Sequence, residues 1–174
     1  LSRLLADEAR RTQMVACGQK LVDGDGGSRG ISAMRRHQAA LHFRLAVEED
    51  SRMIWEWAND PEVRAVSFSP APILWDDHLA WLRHKLNDPN TRLFIVSTIA
   101  GTPIGQVRFD VAGKDAVISV NLDRRFRGQG YGSSLIRTAS RRLLETFGGC
   151  VVHAYIKPGN EISLLAFLKA GYAN

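Results

Sequence analysis

Cysteine is almost missing from this chain of 174 residues: Cys17 and Cys150 are the only two. They have neither the spacing of a metal site nor the number needed for a disulfide framework, which points to a reducing, cytoplasmic setting. No apolar run approaches the ~18–20 residues needed to span a bilayer, so no membrane is expected as a partner. Residues 1–15 carry Arg3, Asp7, Glu8, Arg10 and Arg11, a pattern unlike a secretory leader. The chain begins with Leu, which suggests a piece of a longer polypeptide. Lys/Arg-rich runs are lacking too, so a nucleic-acid binder is disfavoured although the net charge is +5. That mild basic excess suits an anionic small ligand. Metal sites are also excluded on spacing. His78 and His84 are six apart and do not share a helix face. The Asp23–Ser28 run lacks the ligands of a calcium loop.

What is present is ordinary globular composition, 45% hydrophobic and 24% charged, organised around residues 115–147. Ile118, Val120 and Leu122 alternate with Ser119 and Asn121, as in a half-buried strand. The turn Arg127-Gly128-Gln129-Gly130-Tyr131-Gly132 follows. A helix then begins, with Tyr131, Leu135, Ala139, Leu143 and Phe147 at four-residue intervals. Glycines clear side chains from the backbone. The first N–H groups of a helix have no partner inside it and lie at the positive end of its dipole. Together they form a nest for a phosphate or diphosphate.

A P-loop is excluded, because no G-x-x-x-x-G-K-[ST] run exists. The dinucleotide fingerprint fails because Ser133 stands where its third glycine belongs. The remaining pattern, Arg127-x-x-Gly130-x-Gly132 after a strand, resembles the coenzyme A loop [Q/R]-x-x-G-x-[G/A] of the GNAT N-acetyltransferase superfamily. A second frame, Arg125/Gly128/Gly130, is shifted by two; the first leaves Leu122 at the apolar strand end. The resemblance covers about residues 41–172. The order of elements is β-α-α-β-β-β-α-β-α: strand 42–47, helix 48–59, loop 61–74, helix 75–86, strands 92–99, 105–111 and 117–122, helix 131–147, strand 150–156 and helix 160–170. The expected class is α/β (α+β), a mixed, mostly antiparallel sheet flanked by helices, without the family's last two strands.

The resemblance implies direct attack of an amine on acetyl-CoA. Val120, Asn121 and Leu122 would bond the pantetheine, with the Leu122 backbone N–H polarising the thioester carbonyl. Arg127, Gly128, Gln129, Gly130, Tyr131, Gly132 and Ser133 would hold the diphosphate. Asn160 begins N-x-x-[A/S]-x-x-x-Y-x-K-x-G-[F/Y], the second family motif, and would also touch coenzyme A. That motif's proton-donating Tyr is Phe167 here, so the donor must be sought elsewhere, at Tyr155, Tyr172, Tyr131 or water. Glu62, His153 and Asp123 are candidate bases by residue type. Each of the four tryptophans is expected to pack in a core rather than line an acceptor pocket.

Two local resemblances bear on the acceptor. Trp57 to Arg64, with Asn59-Asp60-Pro61, is similar to the ribosomal-protein-acetylating branch and its amino-sugar relatives. The run CGQKLVDGDGGSRGISAM resembles the tail of nucleotide-sugar hydrolases of pseudaminic acid biosynthesis, which would make residues 1–40 a helical tail and 41–174 the transferase domain. The expected acceptor is therefore the 4-amino group of a nucleotide-linked amino-dideoxy sugar. The alternatives are a protein N-terminus and a non-catalytic coenzyme A-binding module. Nothing in the sequence sets an oligomeric state.

Overall fold

The computed structural model describes residues 41–173; the expectations for residues 1–40, including the hydrolase-like tail, lie outside them. Strand β1 (His42–Leu45) leads through a 3-10 turn (Glu48–Asp50) into α1 (Ser51–Ala58). After α2 (Pro61–Val66) and α3 (Trp75–Asn87) come β2 (Thr91–Ser97), β3 (Pro103–Ala112) and β4 (Asp115–Leu122). A short 3-10 turn (Arg124–Phe126) precedes α4 (Tyr131–Thr146), β5 (Val151–His153) and α5 (Glu161–Ala170).

The five strands lie in the order β1-β2-β3-β4-β5. Neighbours are antiparallel except β4 and β5, which run parallel. This is the mixed, mostly antiparallel sheet expected. Strand pairing puts alternate residues on opposite faces, and each face has its own core. One face carries Val107, Phe109, Ala116 and Ile118, which pack with Leu135, Ile136, Ala139 and Leu143 of α4 and Phe167 of α5. On the other, Leu93 and Ile95 pack with Ile54 and Trp57 of α1 and Leu82 of α3. The four-residue stripe read on α4 is thus its buried side.

Three boundaries differ from the expectation. Residues 61–66 form helix α2 rather than a loop. Asp60 caps it, its Oδ1 accepting from the N–H groups of Glu62 (2.9 Å) and Val63 (3.4 Å). Pro61 occupies the first helical position, where its missing N–H costs nothing. Asp-Pro therefore starts a helix here as well as ending the one before it. The helix expected over 48–59 opens with a 3-10 turn, in which the buried Asp50 carboxylate takes both Arg44 Nη atoms (2.6 and 2.7 Å). The strand expected over 150–156 is regular for three residues only, and that shortness shapes the site.

Candidate active site

Strand β5 pairs with β4 through Asp115↔Val151, Ala116↔Val152 and Val117↔His153, and then stops. Strand β4 continues for five more residues, to Leu122, with β3 on one side only. A wedge therefore opens between β4 and the chain beyond His153. Which groups face it follows from the alternation of the ladder. Asp123 donates its N–H to Ile104 O on the β3 side (2.8 Å), whereas Lys114 O accepts from Val151 N on the β5 side (2.8 Å). Odd-numbered residues thus address β3. The N–H groups of Ile118, Val120 and Leu122 point into the wedge, the Leu122 N–H included.

The glycine turn follows β4 and the Arg124–Phe126 turn and leads into α4. Gly128 (φ +73°) and Gly130 (φ +83°) are left-handed, a conformation that disfavours any side chain. A Cβ placed on Gly128 would meet nothing within 4 Å, so no side chain fills the turn there. Gly130 stands at the N-cap of α4, and no side chain caps the helix. Its first N–H groups, on Tyr131, Gly132 and Ser133, belong to the orphan set at the dipole's positive end. Gly132 has a different part: an added Cβ would touch only Ala166 Cβ at 3.9 Å, an ordinary contact. An extended chain ending in a diphosphate fits this arrangement, its chain in the wedge and its charge at the helix start.

Arg127 leads elsewhere. Its Nε donates to Leu122 O (3.0 Å), and its Nη1 donates to Asp60 Oδ1 (3.0 Å) and Glu62 Oε2 (2.8 Å). Nη2 is buried without an acceptor. The guanidinium ties the end of β4 to the start of α2, while its backbone leads into the glycine turn. Asn160 caps α5 through Oδ1, which accepts from Ser163 N (3.2 Å). Gln129 Nε2 donates back to Arg125 O (2.7 Å).

A cleft of 340 Å³ adjoins the end of β4, lined by Met53, Glu56, Trp57, Asp60, Pro103, Asp123, Arg124 and Arg125. Its size is that of a small-molecule site. Trp57 is the one tryptophan in its wall, and its indole Nε1 donates to Asp123 Oδ2 (3.0 Å). Asp123 also accepts from the Arg125 backbone (2.8 Å) and guanidinium (2.7–3.2 Å). Arg125, aided by these hydrogen bonds and opposed by burial, lowers the Asp123 pKa to about 2. Held as an anion by these partners, Asp123 is a weaker proton acceptor than an unpaired carboxylate.

The other candidates separate. Glu62 bonds Arg124 (3.1 Å) and Arg127 (2.8 Å) beside the cleft. His153 pairs with Asp115 (2.7 Å) and lies opposite Val117, about 17 Å along the strand from Leu122. Tyr172 O–H and Ser140 Oγ form a hydrogen bond (2.7 Å). Burial raises the Tyr172 pKa and the Ser140 bond opposes this. Ser140 sits nine residues into α4, about 14 Å from its start, so Tyr172 fastens α5 to α4. Its ring stands edge-on to Phe167 at 5.0 Å, and Phe167 is a core residue. Tyr155 is exposed and follows β5 by two residues. Lys157 reaches from the same segment toward Ser67 O (3.3 Å), after α2.

Sequence reasoning missed Glu56, Asp60, Pro103 and the role of Trp57 in the cleft wall. The N-D-P motif marked the neighbourhood, but nothing in the sequence joins it to residues 103 and 123–125.

A wedge between parallel strands with an uncapped helix start near it offers unpaired backbone N–H groups to an extended anionic ligand. Residues 40–173 match the family model "Acetyltransferase (GNAT) domain", and the chain belongs to that family; it is an acyltransferase domain. None of the curated proteins matches the sequence. Solved structures share the fold. The aminoglycoside acetyltransferase AAC(6')-Ib, in complex with coenzyme A and kanamycin, is 23% identical. The match covers 77% of this chain and 84% of that one, with a TM-score of 0.67. Spermidine N-acetyltransferase from Vibrio cholerae, in complex with CoA and spermine, is 18% identical, covering 76% and 80%, with a TM-score of 0.69.

Proposed function

We propose that this domain transfers the acetyl group of acetyl-CoA to a primary amine, with the 4-amino group of a nucleotide-linked amino-dideoxy sugar as its acceptor. The observation that carries the transferase reading is the wedge: β5 stops at His153 while β4 runs on to Leu122. Acetyl-CoA supplies the activated thioester. The N–H groups of Gly128 to Ser133 hold the diphosphate, and each charge-assisted bond there stabilises it by about 1.5–3 kcal/mol. Val120 and Leu122 orient the pantetheine, and the Leu122 N–H polarises the carbonyl. Losing such a donor costs about 2.7–4 kcal/mol of barrier. In the transfer a C–N bond forms and the C–S bond breaks. The nitrogen gives up a proton and the sulfur gains one. Tyr155 is the proposed proton donor to sulfur, because Tyr172 is committed to Ser140 and position 167 carries no hydroxyl. Glu62, beside the cleft, is the proposed base.

For the acceptor, the support within the cleft is Arg124 and Arg125 in its wall, which suit the phosphates of a sugar nucleotide once they exchange their present partners Glu62 (3.1 Å) and Asp123 (2.7 Å). The N-D-P run and the hydrolase-like sequence point the same way by resemblance. The three carboxylates in the same wall, Glu56, Asp60 and Asp123, favour a second reading, a cationic amine such as a peptide N-terminus. Asp60, however, is already paired with Arg127 (3.0 Å).

The test is a thiol-release assay with acetyl-CoA and four acceptors: a nucleotide-linked 4-amino sugar, spermidine, an aminoglycoside and a basic peptide. Saturable turnover with the first, at the highest kcat/KM, is expected. A higher kcat/KM with the peptide or polyamine overturns the sugar assignment. Coenzyme A binding by calorimetry without turnover on any amine would make the domain a binding module.

A further inference from the structure

Past the last ladder pair, Val117↔His153, the two walls of the wedge separate, yet both are tied to one short helix. On the β4 side, Arg127 Nε donates to Leu122 O, and its Nη1 donates to Asp60 and Glu62 at the start of α2. On the other side, Lys157 Nζ donates to Ser67 O (3.3 Å) and Ala65 O (3.5 Å) at the end of α2. The two attachment points stand at one level of the wedge. Carrying the register of Val117↔His153 four residues further would set Lys157 opposite Asn121, next to Leu122. Helix α2 is therefore a crosspiece between walls that no longer pair.

The chemistry of the Lys157 tie follows from the helix. The last carbonyls of a helix have no partner within it and lie at its negative end, so an ammonium is held there. Val152, Ala154 and Ile156 pack against the core on the α4 side, whereas Tyr155 between them is exposed. Lys157 thus anchors the stretch of wall that carries Tyr155, the proposed proton donor. Spacing decides what the crosspiece permits. Paired strands stand about 4.7–4.9 Å apart, which leaves no room between them. A third extended chain needs roughly twice that spacing, and the six residues of α2 span about 9 Å.

We propose that Lys157 is a positioning residue for the transfer: by tying the chain beyond β5 to the end of α2, it holds the wedge at the width of one extended chain and keeps Tyr155 in place on its wall. The proposal rests on the transferase reading above. Lys157 acts through the wall and takes no part in the chemistry, because its ammonium is committed to two backbone carbonyls. On that reading the diphosphate is held by the glycine turn, so a loosened wall is felt by the pantetheine and the acyl group.

The experiment compares two variants of the whole chain. Lys157→Met keeps the aliphatic stem and removes the ammonium; Lys157→Arg keeps a cation for the same carbonyls. By calorimetry, Lys157→Met should weaken coenzyme A about fivefold or more, while adenosine diphosphate, which lacks the pantetheine arm, binds within twofold of wild type. Its kcat, corrected for the folded fraction by urea titration, should fall about tenfold. Lys157→Arg should restore at least half of the wild-type kcat. Equal losses of affinity for the two ligands, an unchanged corrected kcat, or no rescue by arginine would each overturn the proposal and leave the tie structural. If wild type binds coenzyme A but acetylates no amine, the transferase reading itself fails and the proposal with it. That result is distinct from the others, because it appears before any substitution is made.

Discussion

Removing the Asp123 carboxylate should loosen the joint between α1 and the end of β4. Asp123→Ala strips the acceptor from the Trp57 indole N–H (3.0 Å) and from the Arg125 N–H (2.8 Å). Trp57 is buried, so its N–H would be left without a partner at a cost of about 1–3 kcal/mol. Loss of the side-chain cap on the Arg124–Phe126 turn adds roughly 0.5–2 kcal/mol. A destabilisation of about 2–4 kcal/mol is expected in urea titration at pH 7. Trp57→Phe should remove the same bond from the other side, so the double variant should be less destabilised than the sum of the singles, by about 1.5–3 kcal/mol.

The pH dependence has a fixed sign. The folded pKa of about 2 lies below the ordinary 3.8, so the stabilisation is complete above pH 3.8 and is lost as pH falls toward 2. Its size is about 1–2 kcal/mol after solvent screening of the Arg125 partner, whose side chain is 74% exposed. Wild type should lose that amount between pH 4 and 2, and Asp123→Ala should lose less. Additive single effects, or identical acid profiles, would refute this account of the joint.

Four further outcomes follow from the site. Gly128→Val, at φ +73°, should raise KM for acetyl-CoA at least tenfold in steady-state kinetics, whereas Gly132→Ala, which meets only Ala166 at 3.9 Å, should stay within threefold of wild type. Gly105→Ala would put a Cβ 2.4 Å from Asn121 O and 3.1 Å from Leu122 Cα; because these are backbone atoms of β4, the expected cost is about 1–3 kcal/mol with a fall in kcat, read by urea titration and turnover. Tyr172→Phe should lose about 1 kcal/mol with its Ser140 bond and keep kcat, while Tyr155→Phe should lower kcat with little change in stability. Arg127→Gln should raise KM for both substrates, because that guanidinium holds Asp60 and Glu62 as well as Leu122 O.

The parts of the site that were legible in the sequence are local ones. Strand, glycine turn and helix are contiguous, and each announces itself by period or by a conformation that glycine adopts cheaply. The reading of residues 115–147 therefore carried over nearly residue for residue. Where one signal serves two structures, the reading went astray. Asn59-Asp60-Pro61 marked the end of α1, but the same Asp and Pro are also the N-cap and first residue of α2. Side-chain destinations were not legible at all. Arg127 carries a phosphate-loop signature, yet its guanidinium bonds residues more than sixty positions away. His153 sits near the site in the sequence of elements and at the far end of β4 in space.

The division of labour across the sheet explains why one half of the chemistry was easier to read than the other. On the proposed reading, donor binding uses backbone N–H groups at a strand edge and a helix start, so it demands only glycines and a strand that outruns its neighbour. Its signature is short and tolerant of the surrounding sequence. Acceptor recognition must use side chains, because the specificity of a primary amine lies in the number and direction of its hydrogens. The cleft beside the end of β4 is lined from α1, the start of β3 and the turn after β4, three segments far apart in the chain. Only the register of β3 on β4 and the packing of α1 against the sheet bring them together, so a cleft built that way leaves no contiguous signature in the sequence.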